Sequence, residues 1–307
     1  MNNLRQNIKQ FILMILPSSK LGNDVNIQYN QCYTLKPLSM NELSLTLPMK
    51  QKILNSRKNN NTMEIIRDNK KLTLIIPFRN REEHLQEFLP AVKQRLSEQK
   101  IDYEIIIVEQ DDQLFFNKAK LMNIATLHAN SGSEYFVFHD VDSMPTNIDY
   151  RYSNQTIRLF NYIKRGENDF EEYPQTVFGG AILVPKKIFF DINGFSNKYW
   201  QWGKEDDDFL LRHLFKGYNP LFDTEGKITM LPHPFSLTLD NKGKVSTNKL
   251  ILKQNWKLSN INKKIFSRFK RGITSQDNDG INNVKDYIIT STTFKDRVKT
   301  IKVQFKI

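Results

Sequence analysis

The chain has 307 residues, of which 39% are hydrophobic and 25% charged, a composition typical of a globular protein with a full hydrophobic core. Its single cysteine, Cys32, excludes an intramolecular disulfide, and no apolar run approaches the roughly 20 residues that cross a bilayer. The formal net charge is +12, and residues 241–271 hold ten Lys and Arg and no acid, so the excess is local.

The first 70 residues carry few structural signals and are predicted to form an N-terminal extension of unassigned role. A polar stretch rich in Asn and Lys, from Gln51 to Asn61, is typical of a linker or an exposed loop. The apolar run from Phe11 to Leu16 lacks a small-residue cleavage site and is interpreted as a short packed helix. We therefore expect a cytoplasmic protein.

Beyond this extension, apolar runs alternate with helical patterns. Strands are predicted at residues 71–77, 103–108 and 135–138, each rich in β-branched or aromatic residues. A helix beginning at Glu82 is predicted by apolar residues at helical spacing, which are Leu85, Leu89, Val92 and Leu96. This alternation predicts an α/β domain over residues 71–307 with a mainly parallel central sheet flanked by helices.

Two aspartates follow the third strand directly. In an extended chain Asp140 and Asp142 point to the same side, while Val141 points back towards the core. Carboxylate oxygens bind hard divalent cations such as magnesium or manganese, and ligands of open α/β sheets lie beyond the carboxyl ends of the strands. An Asx turn is the commoner reason for an isolated Asp-x-Asp, so the neighbouring motifs must decide.

Basic residues follow the first two strands. Arg79 and Arg81 could bind phosphate after the first strand, and after the second Lys118 and Lys120 could do the same while Phe116 stacks on a base. Ordinary surface charge explains the arginines equally well, and core packing is the commoner role for a phenylalanine.

The middle of the chain gives weaker signals. Residues 156–163 are predicted to be helical, residues 181–184 to form a strand, and residues 186–193 a short helix that ends at Gly194. Gly179 and Gly180 precede the strand; such a pair allows a ligand to approach the backbone, although a turn or bulge is the commoner reason.

Trp200 and Trp202 stand just before four consecutive acids, Glu205 to Asp208, which open a predicted helix that ends near Gly217. Acids are favourable at a helix N-terminus, but one or two would suffice. Mutual repulsion among four raises proton affinity, which suits a general base. Aromatic rings beside clustered carboxylates favour a carbohydrate site over packed tryptophans alone.

The last third of the chain contains a predicted strand at residues 227–230, then His233, and a closing β-hairpin at residues 287–293 and 298–305. A lone histidine is more often structural than a ligand.

The basic segment, residues 241–271, is predicted to be helical. One apolar face is expected, formed by Leu252, Trp256, Ile265 and Phe269. An anionic membrane surface suits this pattern; nucleic acid is the competing partner, and a solvated basic face is as good an explanation as either.

Six motifs together resemble the β-1,4-galactosyltransferase family and occur in its order. They are Phe78 to Arg81, Phe116 to Asn123, Asp140 to Asp142, Phe178 to Gly180, Trp200 to Asp208, and Met230 to His233. The resemblance extends from about Leu72 to Ile307, interrupted by a basic insertion at residues 241–271. It implies the GT-A fold and a manganese-dependent, inverting transfer of galactose or N-acetylgalactosamine from the UDP-sugar to a sugar hydroxyl.

The resemblance also implies roles for individual residues. The donor site would comprise Pro77, Phe78, Arg79, Arg81, Phe116, Lys118, Asp140, Val141, Val177, Gly180 and Trp202. Asp142, Met230 and His233 would bind manganese, although a soft thioether is not the ligand that residue chemistry alone suggests for this metal. Catalysis would use Asp206 as general base with Glu205 near the donor, and Asp206, Asp207 and Trp202 would contact the acceptor.

Several residues depart from the family pattern. Gln201 and Lys204 interrupt the family's glycine-rich tryptophan loop, and Lys118 replaces an arginine. Val177 stands where a bulky tyrosine is usual in galactose users, so we expect UDP-N-acetylgalactosamine to be accepted at least as well as UDP-galactose. The missing membrane anchor and disulfides favour a bacterial-type enzyme that builds a surface polysaccharide or lipopolysaccharide on a lipid-linked acceptor, peripheral to the inner face of the membrane.

Two other functions remain open from the sequence. One is a metal-dependent nucleotide-sugar hydrolase that uses the same acids. The other is a non-catalytic basic binding protein with a vestigial site, against which the intact Asp140, Asp142, Asp206 and His233 argue.

Overall fold

The computed structural model describes residues 35–37, 66–174, 176–234, 239–240 and 244–306. The predictions for Phe11 to Leu16, Cys32 and Gln51 to Asn61 lie outside these residues. The α-helices within the described residues are α1 (Glu82–Glu98), α2 (Lys118–Leu127), α3 (Lys186–Asp191), α4 (Glu205–Phe215) and α5 (Lys249–Lys270). The strands are β1 (Leu35–Pro37), β2 (Arg67–Asp68), β3 (Leu72–Phe78), β4 (Tyr103–Gln110), β5 (Tyr135–His139), β6 (Ser143–Asn147), β7 (Tyr152–Ser153), β8 (Ile157–Arg158), β9 (Tyr162–Arg165), β10 (Glu171–Glu172), β11 (Ala181–Pro185), β12 (Leu221–Asp223), β13 (Lys227–Met230), β14 (Tyr287–Lys295) and β15 (Val298–Phe305).

A nine-stranded sheet forms the centre, in the order β1-β12-β8-β11-β5-β3-β4-β15-β14. Four adjacent strands, β5, β3, β4 and β15, run parallel to one another, as the alternation of strands and helices predicts. Towards the edges β5–β11, β11–β8, β12–β1 and β15–β14 pair antiparallel, so the sheet as a whole is mixed.

Helices cover both faces of this sheet because its central strands are apolar on both sides. All seven residues of β3 are buried. On one face Phe88, Val92 and Leu96 of α1 join the core, and on the other face α2 and α4 pack into a second apolar cluster. The predicted helix from Glu82 continues through Pro90 to Glu98. The result is a three-layer α/β architecture.

A second sheet of four strands, β10-β9-β13-β6, stands beside the first. Its strand β9 and the neighbouring β8 replace the helix that the sequence predicts at residues 156–163, and that prediction is wrong. Ile157 and Leu159 are both fully buried, and so is Arg158, because β8 is a central strand that pairs with β11 on one side and β12 on the other. Arg158 between them donates to the backbone carbonyls of Phe160 and Pro174, which fixes an extended chain.

The closing hairpin is confirmed, and its strand β15 extends the parallel part of the central sheet beside β4. The basic segment contains the predicted helix, α5, but not the predicted apolar face. Trp256 is 53% exposed, whereas Phe269 is buried. The cause is geometric: Trp256 and Ile265 are nine residues apart, about two and a half turns, and so lie on opposite sides of the helix.

Candidate active site

The carboxyl ends of β3, β4 and β5 meet at one edge of the central sheet because these strands run parallel. Arg79 follows β3, Gln110 ends β4, and Asp140 comes one residue after β5. Val141 is 7% exposed and packs into the core, as its position between two outward-pointing aspartates predicts. Most of the residues singled out in the sequence surround this edge.

Lys118, the first residue of α2, gathers three carboxylates. Its Nζ lies 2.9 Å from Oδ1 of Asp140, 3.5 Å from Oδ1 of Asp206 and 3.9 Å from Oε1 of Glu205. Burial alone lowers the pKa of a lysine, but these three charges outweigh it and hold the pKa of Lys118 well above its ordinary value. Lys118 therefore stays a cation and connects the loop after β5 with the start of α4.

The first turn of α4 divides its four acids between different tasks. Glu205 and Asp206 face Lys118, with side chains 13% and 24% exposed. Asp208 is fully buried instead, where it pairs with Arg212 and accepts a hydrogen bond from the Tyr199 hydroxyl at 2.9 Å. Asp207 lies 2.8 Å from Nζ of Lys204 at the surface. Only two of the four acids thus belong to the Lys118 cluster.

The acids beside Lys118 hold their protons more tightly than free carboxyls. Burial raises the pKa of Asp206 well above its ordinary value, and Glu205, Asp140 and Asp207 raise it further while Lys118 opposes the rise. Burial likewise raises the pKa of Glu205, again against Lys118. A carboxylate with a raised pKa is the better proton acceptor, which is the property that a general base requires.

Asp142, Met230 and His233 come together through the pairing of β6 with β13. This pairing aligns Met230 with Ser143, the residue after Asp142. Nε2 of His233 lies 3.2 Å from Oδ2 of Asp142, and the Ser143 hydroxyl lies 3.6 Å from the sulfur of Met230. The three residues named from the family resemblance are therefore neighbours in space.

This group fits a divalent cation in part. Asp142 and His233 supply an oxygen and a nitrogen donor, both of which manganese accepts. Burial raises the pKa of Asp142, and the charge of Asp140 raises it further, so a bound cation would supply the compensation that the pair of acids lacks. Met230 adds a thioether that manganese does not favour. Clusters of three or more His, Cys, Asp or Glu at metal-binding spacing are absent from the described residues.

Arg79 is predicted to bind the donor, but in the structure its guanidinium forms hydrogen bonds to other residues of the protein. It is 8% exposed and donates to the carbonyl oxygens of Gln110 at 3.3 Å and Leu114 at 2.7 Å. Its Nη2 also lies 3.4 Å from Oδ1 of Asp112, and the guanidinium lies 5.5 Å from the centre of the Phe116 ring. Arg79 thus shapes the loop that carries Phe116. Burial lowers the pKa of Arg79 to about 10, which leaves it charged at neutral pH.

Other predicted donor residues lie at the same edge with different accessibility. Pro77 and Phe78 are buried at the end of β3, whereas Phe116 is half-buried. Arg81 immediately precedes α1 and lies near Asp142, where its charge opposes the rise in pKa that burial causes. Pro77 and Phe78 contribute packing more than exposed surface.

Trp200 and Trp202 differ in their exposure to solvent. Trp200 packs edge-on against Phe305 at 5.7 Å between ring centres, so it belongs to the core. Trp202 is 46% exposed on the loop that precedes Glu205. Of these two tryptophans, Trp202 is the one whose ring is exposed to a ligand.

Gly179 and Tyr173 lie beside the Lys118 cluster, although neither was predicted from the sequence to be a site residue. A Cβ placed on Gly179 would stand 2.2 Å from Oδ2 of Asp206, so the absence of a side chain there makes room for this carboxylate. Burial raises the pKa of Tyr173, and the charge of Asp206 raises it further. The influence of Asp206 indicates that the phenol lies near the site. The pair of glycines in the sequence is a signal that could have indicated the role of Gly179. No local pattern points to Tyr173.

Val177 and Gly180 lie on either side of this glycine. Val177 is half-buried, and its carbonyl accepts a hydrogen bond from Arg158 at 2.7 Å. Gly180 has φ of +88°, and a Cβ there would meet the Phe160 ring at 2.9 Å. The segment is therefore held by contacts from β8 and from the residues that follow it.

Two family models match the sequence. The N-terminal region of glycosyl transferase group 7 matches residues 32–155, and the N-terminal domain of galactosyltransferase matches residues 165–234. Together the two models cover more than half of the chain. The chain belongs to glycosyl transferase group 7.

This group 7 chain is similar to several animal proteins. It is 36% identical to beta-1,4-galactosyltransferase 4 of Cricetulus griseus over 187 residues, which are 59% of this chain and 53% of that protein. It is 37% identical to xylosylprotein 4-beta-galactosyltransferase of Caenorhabditis elegans over 143 residues, 46% of this chain and 50% of that protein. The chain thus spans about half the length of the curated relatives that it matches.

Solved structures of the group share its fold. The catalytic domain of Drosophila beta-1,4-galactosyltransferase 7 in complex with xylobiose superposes with a TM-score of 0.57 and 26% identity, over 78% of this chain and 95% of that one. A mutant of the same enzyme in complex with manganese, UDP-Gal and xylobiose gives a TM-score of 0.60 and 23% identity, over the same shares. The GT-A fold implied by the family resemblance is confirmed.

Proposed function

We propose that this protein transfers galactose or N-acetylgalactosamine from a UDP-sugar to a sugar hydroxyl, with inversion and with manganese as cofactor. The observation that carries the proposal is the Lys118 cluster, in which a lysine joins Asp140, Glu205 and Asp206 beside the Asp142–His233 pair. Cationic, carboxylate and metal-binding groups at one sheet edge are what a sugar-nucleotide transferase requires. The manganese, UDP-Gal and xylobiose bound by the Drosophila relative agree with this substrate class.

The residues then have separate tasks. Asp206, with its raised pKa, accepts the proton of the acceptor hydroxyl as that oxygen attacks the anomeric carbon. Lys118 and Arg81 hold the diphosphate, and Asp140 orients the donor. Asp142 and His233, with Met230 beside them, would hold manganese, which supplies Lewis-acid stabilisation of the leaving UDP. Trp202 and Asp207 bind the acceptor and exclude water.

Val177 underlies the proposal for the donor. Its side chain is smaller than the tyrosine usual at this position in galactose users, so an acetamido group would have more space at this position. We expect UDP-N-acetylgalactosamine to serve at least as well as UDP-galactose. If Val177→Tyr leaves the ratio of the two kcat/KM values unchanged, this assignment is wrong.

The test of the reaction is UDP release by the purified protein with manganese. Each donor is offered alone, with N-acetylglucosamine and with xylobiose. Acceptor-stimulated release that disappears with chelator and in Asp142→Ala supports the transferase. Equal release with and without acceptor favours a nucleotide-sugar hydrolase, and no release under any condition favours a non-catalytic binding protein.

We also propose that the protein contacts a membrane peripherally. In this proposal the protein lies in the cytoplasm and acts on a lipid-linked acceptor in surface polysaccharide or lipopolysaccharide synthesis. None of the described helices combines the length and the apolar character needed to span a bilayer. The outer face of α5 carries exposed lysines around Trp256 and Leu250, which are 53% and 70% exposed. Cations around exposed apolar side chains suit an anionic lipid surface better than nucleic acid.

Sedimentation with lipid vesicles tests this contact. Replacement of Lys253, Lys257 and Lys264 by glutamine should reduce binding to phosphatidylglycerol vesicles by about tenfold or more, since each lysine near such a surface contributes about 1 kcal/mol. Glutamine at Lys187, Lys285 and Lys306, three lysines that lie exposed outside α5, is the matched control. Unchanged sedimentation of the triple variant, or equal binding to neutral vesicles, contradicts membrane contact.

A further inference from the structure

Helix α5 turns polar side chains towards the protein interior. Asn255, Ser259 and Asn262 are between 0% and 2% exposed and recur at steps of four and three residues, so they form one stripe. A buried amide is unfavourable unless it is hydrogen-bonded, so these asparagines must have specific partners.

Those partners are in the loop that carries Trp202. Nδ2 of Asn262 donates to the backbone carbonyls of Trp200 at 2.9 Å and Trp202 at 3.2 Å. Oδ1 of Asn255 accepts from the side-chain amide of Gln201 at 3.2 Å. Three consecutive loop residues are therefore bound by one helix face.

The loop needs such support because its backbone is unusual. Gln201 has φ of +62°, Gly203 of +105° and Lys204 of +82°. Residues with a Cβ rarely adopt these angles, and they persist where surrounding contacts determine them. The backbone N–H of Gln201 also donates a hydrogen bond to the backbone carbonyl of Phe116 at 2.6 Å.

The loop lies directly at the candidate active site. It joins Phe116, on the donor side, to Glu205 at the start of α4, and it presents the half-exposed ring of Trp202. Any change in its backbone would move this ring relative to Asp206.

We propose that Asn255 and Asn262 are positioning residues for Trp202. They fix the backbone of residues 200–202 in its strained conformation, so that the Trp202 ring stands ready for the acceptor before the acceptor arrives. The basic helix thereby acts in acceptor binding through its inner face. This inference rests on the proposed transferase function, because it gives Trp202 a substrate.

The first test compares Asn262→Leu with Ser259→Ala. Leucine has a similar size but donates no hydrogen bond, whereas Ser259 is buried on the same stripe and has no side-chain hydrogen bond among the described residues. We expect Asn262→Leu to accelerate amide hydrogen exchange of residues 200–204 and to raise the acceptor KM, each by about tenfold, as loss of hydrogen bonds of ordinary strength predicts. The donor KM and kcat at saturating acceptor should stay within about twofold, and Ser259→Ala should resemble the wild type.

A double-mutant cycle separates positioning from general damage. In a Trp202→Ala background, Asn262→Leu should cause no further rise in the acceptor KM, because the ring that it positions is absent. If Asn262→Leu does not fold, Gln201→Ala removes the bond to Asn255 from the loop side, and the same increase in exchange and in acceptor KM is expected.

Unchanged exchange and unchanged acceptor KM in both variants would overturn the proposal. So would effects of Asn262→Leu that add in full to those of Trp202→Ala. Hydrogen exchange needs no turnover, so the positioning of the loop is tested even if the wild type transfers no sugar, a result that counts against the proposed function instead.

Discussion

The carboxylate of Asp206 occupies the space that a side chain on Gly179 would fill, since a Cβ there would stand 2.2 Å from Oδ2. We predict that Gly179→Ala displaces Asp206 and lowers kcat by about a hundredfold, the usual effect of an ångström-scale misplacement of a catalytic group. Steady-state kinetics measure this, with Gly132→Ala as control because the Cβ added there comes no nearer than 3.3 Å to its neighbours. Equal kcat values for the two variants would show that Asp206 is not held by this contact.

Asp206→Asn should separate activity from stability. The pKa of Asp206 is higher in the folded protein than in the unfolded chain, so its ionisation opposes folding at neutral pH. This penalty is absent below the ordinary carboxyl pKa and complete above the raised one. We therefore expect Asp206→Asn to raise Tm near pH 8 but not near pH 3, and to lower kcat by about a hundredfold or more. A Tm difference independent of pH would contradict the raised pKa.

Lys118→Met should change the pH dependence of transfer. Lys118 lowers the pKa of Asp206 through its charge, so its removal lets that pKa rise further. The acid limb of the kcat profile, where the base loses activity by protonation, is then expected to move to higher pH. Lys120→Met is the comparison, because Lys120 lies outside the cluster and its Nζ is 3.4 Å from the carbonyl of Asp286. A profile that keeps its midpoint in Lys118→Met would remove Asp206 as the titrating base.

Manganese affinity should fall more when Asp142 is replaced than when Met230 is replaced. Asp142→Ala removes an anionic oxygen donor, whereas Met230→Leu removes only a soft sulfur of similar bulk. We expect manganese affinity, measured from the electron paramagnetic resonance of the free ion, to fall at least about tenfold in Asp142→Ala and less in Met230→Leu. A larger effect from Met230→Leu would mean that the thioether contributes more than its softness predicts.

Arg158 should be costly to replace. It is fully buried and donates to the carbonyls of Phe160, Pro174 and Val177, while burial lowers its pKa to about 10. Arg158→Met leaves these carbonyls without a donor, so we expect a loss of about 3 kcal/mol or more in the free energy of unfolding by urea. Arg151→Met, whose side chain is 40% exposed in its pair with Asp149, should cost less than about 1 kcal/mol.

Local periodicity accounts for what the sequence predicts correctly. The strands after Leu72 and the helix from Glu82 carry their signal within a single element. The metal and donor residues, by contrast, were named through family motifs and not from spacing alone. The Asp142–His233 contact depends on β6 pairing with β13, which no local pattern encodes.

Errors arise where local patterns compete. Residues 156–163 have apolar residues at both helical and alternating spacing, and the pairing with β11, β12 and β13, together with the buried bonds of Arg158, decides for strands. On α5 the polar stripe at Asn255 and Asn262 looks like a solvent-facing surface in the sequence. The partners of Asn262 are backbone carbonyls some sixty residues earlier in the chain, and Asn255 binds the side chain of Gln201, contacts that sequence reasoning cannot supply.

The pairing of β6 with β13 has a consequence for how the protein folds. Ser143 and Met230 are brought together across an 87-residue separation, and closing such a loop is entropically slow. A shift of register by one residue would turn Met230 to the opposite face of its strand. The metal site is therefore expected to form late and all at once, so that the recovery of manganese binding during refolding reports the completion of the native topology.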